Sequence, residues 1–195
     1  MNIGLTGGIG CGKSTALTFF RQCGAEVMET DALVRDMLSS DPELISEVEA
    51  VFGEEVIDCE GIVDRAKLAA KVFHNSEALA SLESLIHPRV RNHWMRALGE
   101  SHPVLIVEIP LLFEKDLQEH FTLTICLSSH PELQEQRLKA RGMSESQIQY
   151  RKERQFSLEE KMRRADIILH NNGSLEHLKE QVEQVMKRFS DGSNP

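Results

Sequence analysis

Residues 5–15 read Leu-Thr-Gly-Gly-Ile-Gly-Cys-Gly-Lys-Ser-Thr, four glycines followed by a lysine and two hydroxyl side chains. The spacing Gly7-x-x-x-x-Gly12-Lys13-Ser14 fits a phosphate-binding loop, provided that a strand precedes it and a helix follows. Phosphate oxygens need several N–H donors converging on one point. A backbone largely free of Cβ atoms can bend to supply them, which accounts for Gly7, Gly8, Gly10 and Gly12, with the amide of Cys11 in the same run. A helix starting near Lys13 adds its positive dipole end. Lys13 then reaches the β- and γ-phosphates, the Ser14 hydroxyl ligates Mg²⁺, and Thr15 helps hold the α-phosphate. The bland alternative is a strand–turn–helix whose glycines only make a tight turn. The motif by itself implies a nucleoside triphosphate and does not say what is done with it.

A small kinase needs more than this loop: a carboxylate to take the acceptor's proton, a metal-facing acid, and arginines around the transferring phosphoryl group. Asp31 follows the second apolar run and opens a helical pattern, so it is the candidate general base or metal-facing acid; the same position suits a plain helix N-cap. Glu108 closes the run "VLIV", where either a metal-facing carboxylate or an ordinary strand-end acid fits. Basic residues cluster between Arg137 and Arg164, a segment of net charge +5 in a chain of net charge -9. With Gly142 as a hinge, this reads as a lid over triphosphate carrying Arg137 and Arg141, or else as a solvated charged helix. The Cys11 thiol also reads two ways. Beside Lys13 and a helix start it is favoured as a reactive thiolate, whereas as a small apolar residue it packs inward.

Strands that could position these groups are expected at 2–6, 25–29, 103–109, 121–128 and 166–171. Helical patterns lie between and after them, including 16–23, from Thr30, after 130 and from Ser174. Alternation of this kind predicts an α/β fold, a three-layer parallel sheet with helices on both faces. The 73 residues from Thr30 to His102 exceed any simple crossover. They carry several helical patterns, with Asp64 as a cap and Pro88 expected to kink or split the last. The predicted organisation is a nucleotide-binding core of 1–30, 103–136 and 164–195, a helical substrate-binding insert of 31–102, and a lid of 137–163. In open α/β sheets, an insert leaving the carboxyl ends of the strands overhangs the ligand site.

The 195 residues suit one such core with an insert, and the net charge of -9 argues against a general nucleic-acid binder. No apolar run approaches the ~18 residues of a membrane span, and the N-terminus lacks a basic, cleavable leader pattern. Four cysteines without metal or disulfide spacing suggest free thiols. These features predict a cytoplasmic protein with no membrane partner, as a monomer or weak homo-oligomer. The 190–195 tail is expected to fray. There is no Asn-Lys-x-Asp element of the kind that reads guanine, and large ATPase motors need more chain.

In order along the chain, the loop at Gly4–Thr15, "ETDALVR" at 29–35, His87-Pro88, "PLLFE" at 110–114 and "ADIILHNNG" at 165–173 resemble the dephospho-coenzyme A kinase family. The loop is shared with many kinases; the combination with "HP" and "PLLFE" is specific. The resemblance implies a P-loop NTPase fold and ATP- and Mg²⁺-dependent phosphorylation of the ribose 3′-hydroxyl of dephospho-CoA, the last step of coenzyme A synthesis. It implies that Asp31 is the base, that Lys13 and Ser14 keep their phosphate and Mg²⁺ roles, that Arg35, His87 and Arg89 face the acceptor, and that Arg137 and Arg141 belong to the lid. Four positions depart: Glu29 and Glu108 where the family usually has Asp, His170 where it has Asp, and Cys11 where it has Ser. The alternatives are another small-molecule or nucleoside kinase of the same fold and a non-catalytic nucleotide-binding regulator.

Overall fold

The computed structural model describes residues 1–73 and 75–190; the expected fraying of the tail falls, from position 191 on, outside the described residues. The chain divides into two compact units, one of residues 1–28 with 101 onward, the other of residues 29–100.

The first unit is built on a five-stranded sheet. β1 (Asn2–Gly7) leads into α1 (Lys13–Gln22), and β2 (Glu26–Glu29) follows. Ala16, Leu17 and Phe20 give α1 one buried face. After the second unit's helices α2 (Thr30–Ser40), α3 (Pro42–Phe52), α4 (Arg65–Val72) and α5 (Ser76–Leu98) come β3 (Leu105–Glu108), β4 (Leu123–Ser128), α6 (Pro131–Ala140), α7 (Glu145–Glu153), α8 (Leu158–Arg164), β5 (Ile167–His170) and α9 (Leu175–Ser190). The strand order is β2-β3-β1-β4-β5. β1 runs parallel to both β3 and β4, and β4 parallel to β5. Every residue of β3 and β4 is buried, as a parallel sheet flanked by helices demands of its central strands. Ile3 and Leu5 pack into one cluster with Leu17 and Phe20 of α1 and Leu178 and Val182 of α9. The expected α/β architecture, a three-layer parallel sheet with helices on both faces, is the one observed.

The register fixes the chemistry-bearing ends. Leu5 lies opposite Glu108, and Gly7 opposite Leu127, so the glycine loop leaves the sheet beside the ends of β3 and β4.

In the second unit, α3 starts with Pro42 after Asp41, whose carboxylate accepts from the Glu43 and Leu44 amides at 3.1 Å. Asp64 and Asn75 cap α4 and α5 in the same way. Pro88 was expected to kink or split the last pattern. The helix is not split there: α5 is one helix of 23 residues running through Pro88. Ile86, Val90, Trp94 and Ala97 line its buried stripe, and each large apolar side chain buried contributes ~1.5–3 kcal/mol. That stripe, set on both sides of Pro88, outweighs the ~3 kcal/mol a proline costs inside a helix.

The four cysteines are free thiols. Cys11 belongs to the first unit's core and is 0 % exposed, which overturns the reactive-thiolate reading. Burial pushes its pKa up, and the opposing charge of Lys13 is the smaller effect. Cys126, also buried, is pushed up to about 12 for the same reason.

Two outcomes follow from these packing facts. Pro88→Ala should raise the melting temperature, because a backbone hydrogen bond worth up to ~1.5 kcal/mol becomes possible, offset by ~0.4–1 kcal/mol of unfolded-state entropy; a lowered melting temperature would mean that Pro88 is needed where it stands. Iodoacetamide at neutral pH should label exposed Cys59 well before Cys11 or Cys126, as read by mass-spectrometric mapping. Modification of Cys11 at the rate of Cys59 would contradict its burial.

Candidate active site

The start of α1 is the centre of the site. Its N-cap, Gly12, sits in the left-handed region (φ 90, ψ 31) and offers no side-chain acceptor, and no acidic residue occupies the first turn. The positive end of the helix dipole is therefore not neutralised by the chain's own carboxylates in that turn. This is the local field an anion needs, in a protein that is acidic overall.

The loop is held in shape from behind. The Asn171 side-chain amide donates to the Cys11 carbonyl at 2.9 Å. Arg137 donates to the Gly10 carbonyl at 3.3 Å, to Ser129 Oγ at 3.0 Å and to the Asn171 carbonyl at 3.0 Å. Ser129 Oγ donates in turn to the Asn171 carbonyl at 2.9 Å, and Gln134 Nε2 to the Ser129 carbonyl at 2.7 Å. This close backing explains two of the glycines. Gly10 has φ 79 and a Cβ there would lie 2.8 Å from the Gln134 carbonyl oxygen; a Cβ on Gly12 would run into the Asn171 amide nitrogen.

Lys13 and Glu108 meet where the register predicts. Lys13 Nζ lies 3.6 Å from Glu108 Oε1 and 3.5 Å from the Gly7 carbonyl oxygen. Both side chains are largely buried, at 16 % and 7 % exposed. Ser14, one residue on, is exposed. One carboxylate and one hydroxyl suit Mg²⁺, which takes few protein ligands and the rest from phosphate and water. Among the described residues, no three His, Cys, Asp or Glu gather into a site of their own.

The two arginines expected on a lid differ. Arg137 is half-buried and bonded to the loop's backing. Arg141 is exposed at the carboxyl end of α6, followed by Gly142 at φ 77. At the far end of the expected lid, Lys161 is fully buried. Arg137 and Lys161, near the two ends of the 137–163 stretch, are thus both bonded to other parts of the first unit.

The residues expected on the acceptor side lie in the second unit. Asp31 occupies the first turn of α2 and is exposed; the N-cap is Glu29, so the capping alternative for Asp31 does not hold. Arg35 lies one turn further on, also exposed, and His87 is exposed on α5. Arg89 is clasped by both oxygens of Glu47, at 3.1 and 2.8 Å, and faces Asp41 at 3.8 Å. The Glu47 hydrogen bonds raise its pKa further, so its charge is secure.

Asn171, Ser129 and Gln134 were not singled out in the sequence as loop supports. Asn171 and Cys11 are 160 positions apart, and no local pattern signals that contact. The departure at His170 is accommodated by a hydrogen bond of 2.7 Å between its Nδ1 and Ser128 Oγ.

Known proteins bear on this geometry directly. The family model described as dephospho-CoA kinase matches residues 1–177. A dephospho-CoA kinase of Corynebacterium diphtheriae is 36 % identical over 193 residues, with 96 % of each chain covered. A Thermus thermophilus protein of known crystal structure superposes with a TM-score of 0.79 at 37 % identity, covering 96 % of this chain and 97 % of the other. The dephospho-CoA kinase of Campylobacter jejuni does so with a TM-score of 0.68 at 25 % identity, covering 98 % of each. The chain, with its phosphate loop closing on Lys13 and its parallel sheet, belongs to the dephospho-CoA kinase family, and it is a phosphotransferase that acts on an alcohol group in the last step of coenzyme A biosynthesis.

Proposed function

We propose that the residues above divide the transfer of the ATP γ-phosphoryl group to the ribose 3′-hydroxyl of dephospho-CoA as follows. The loop amides from Gly8 to Thr15 and the start of α1 hold the triphosphate. Lys13 neutralises charge that builds on the β- and γ-oxygens. Ser14 and Glu108 would hold Mg²⁺, which would supply charge neutralisation to the phosphates. Asp31 takes the proton of the acceptor hydroxyl as the new O–P bond forms and ADP leaves. Arg35, His87 and Arg89 bind the acceptor, with Arg89 fixed in direction by Glu47. Arg137 keeps the loop's shape and Arg141 approaches the triphosphate from the lid. The observation that carries this reading is the Lys13 ammonium, set between Glu108 and the Gly7 carbonyl at a helix start left without a capping carboxylate.

The same reading makes 29–100 the acceptor-binding unit and takes the protein as cytoplasmic, a monomer or weak homo-oligomer without nucleic-acid or membrane partners. Among the described residues no helix is long and apolar enough to cross a membrane.

The deciding experiment is ATP turnover with dephospho-CoA set against a panel of nucleosides and sugars. Selective use of dephospho-CoA supports the assignment; equal use of another alcohol favours the broader kinase reading. Lys13→Ala should lower kcat by at least about 1000-fold, roughly 4 kcal/mol of barrier, with the fold intact. Asp31→Asn should depress turnover about 100-fold or more while ATP affinity stays within about threefold, since it removes a base and leaves the phosphate loop untouched. A turnover loss below about tenfold would remove either residue from its assigned role.

A further inference from the structure

Lys161, on α8, has no exposed side-chain surface, yet no step of the reaction above uses it. Its ammonium has three protons and three acceptors: the Pro110 carbonyl at 2.6 Å, Glu114 Oε1 at 3.0 Å and Gln155 Oε1 at 3.2 Å. Burial pushes its pKa down and the charge of Glu114 pulls it back. Glu114 Oε1 also accepts from the Phe156 amide at 2.8 Å, while its Oε2 is buried without a hydrogen-bond partner. A buried ion pair seldom outperforms apolar side chains of the same shape, and this one leaves an acceptor unfilled. Maximum stability does not explain it.

Its connections do. Pro110 follows Glu108 by two residues, and its carbonyl also accepts from Thr6 Oγ1 at 3.2 Å, the residue just before Gly7. Gln155 and Phe156 are the link between α7 and α8. One ammonium therefore joins the end of β1 that enters the phosphate loop, the segment leaving β3 after the metal-facing acid, and the far end of the basic segment. The near end of that segment is different. Gly142 has φ 77 with nothing within 4 Å of a Cβ position, and α7 buries only Ile148. Its ties to α6 include the exposed ion pair of Lys139 with Glu145, of the kind that contributes little. A helix held this weakly is the part that opens.

We propose that Lys161 and Glu114 are positioning residues for phosphoryl transfer: they pin residues 155–156 to the turn after Glu108, so that only 141–154 moves and carries Arg141 to the triphosphate in register with Thr6 and Glu108. This rests on the reading of the basic segment as a lid.

The test uses the whole chain. In the wild type, amide exchange across 143–154 should slow when ATP, Mg²⁺ and dephospho-CoA are added together, while 157–164 stays protected throughout. The double variant Lys161→Met with Glu114→Gln removes both charges and leaves no buried ion unpaired, so it should fold. Its kcat should fall about 100-fold with KM for ATP within about threefold, and ligands should no longer slow exchange across 143–154. Gln155→Met removes one acceptor at a half-exposed site; it should lose about tenfold in kcat at an unchanged melting temperature, and it decides the matter if the double variant melts too low to assay. Wild-type kcat in the folded double variant, or in Gln155→Met where only that can be assayed, overturns the positioning role. Wild-type exchange across 143–154 that ignores the ligands overturns the lid reading itself, a result visible before any variant is made.

Discussion

The site depends on keeping a bare backbone in a shape that no isolated peptide would hold. The loop from Gly7 to Gly12 is set up to present its donors, and the start of α1, to one anion, so its own side chains can do little to stabilise it. Its shape is therefore imposed from behind, by Asn171 on the Cys11 carbonyl and Arg137 on the Gly10 carbonyl. Those two side chains are themselves tied together through Ser129 and the Asn171 backbone. The close approach then dictates residue types in the loop: a side chain at Gly10 or Gly12 would displace the groups that hold it. Support and composition each require the other.

The same economy governs charge. A chain of net charge -9 binds a polyanion because fields act locally. At the loop, the helix dipole and Lys13 supply positive potential, and Glu108 holds the lysine within reach from the adjoining strand. In the second unit, Arg89 keeps its charge because Glu47 clasps it on both nitrogens while Asp41 stands nearby. Lys13 and Arg89 are each paired with an acid that orients them, and orientation is what phosphoryl transfer asks of a protein that does little covalent chemistry. Lys161 extends that logic to a cation remote from any substrate contact assigned here. Its position makes sense as a fastening between elements.

Much of this was legible in the sequence because it is local. Glycine spacing, a strand before and a helix after, and alternation of the two kinds of element are short-range patterns, and they determined the α/β class, the five strands and the phosphate loop. The length of the stretch between Thr30 and His102 likewise announced extra helices before any coordinate was known. The sequence also named Lys13, Ser14, Asp31 and Glu108, since each stands at a strand end or helix start where chemistry is expected.

What only the tertiary structure decided are the contacts between distant positions and the competition between local and global preference. Pro88 read as a kink or a split, and the split is excluded: the buried stripe from Ile86 to Ala97 carries α5 through it, because packing energy summed along a helix exceeds one missing hydrogen bond. Cys11 could be read as a thiolate or a core residue, and burial settled it, since desolvation penalises a charged sulfur more than one neighbouring lysine can repay. Arg137 looked like part of a mobile lid and turned out to brace the loop through partners 8 to 127 positions away. Charge runs show where cations are plentiful. Which of them is buried, and against what, depends on the path of the whole chain, and a one-dimensional pattern carries no record of that.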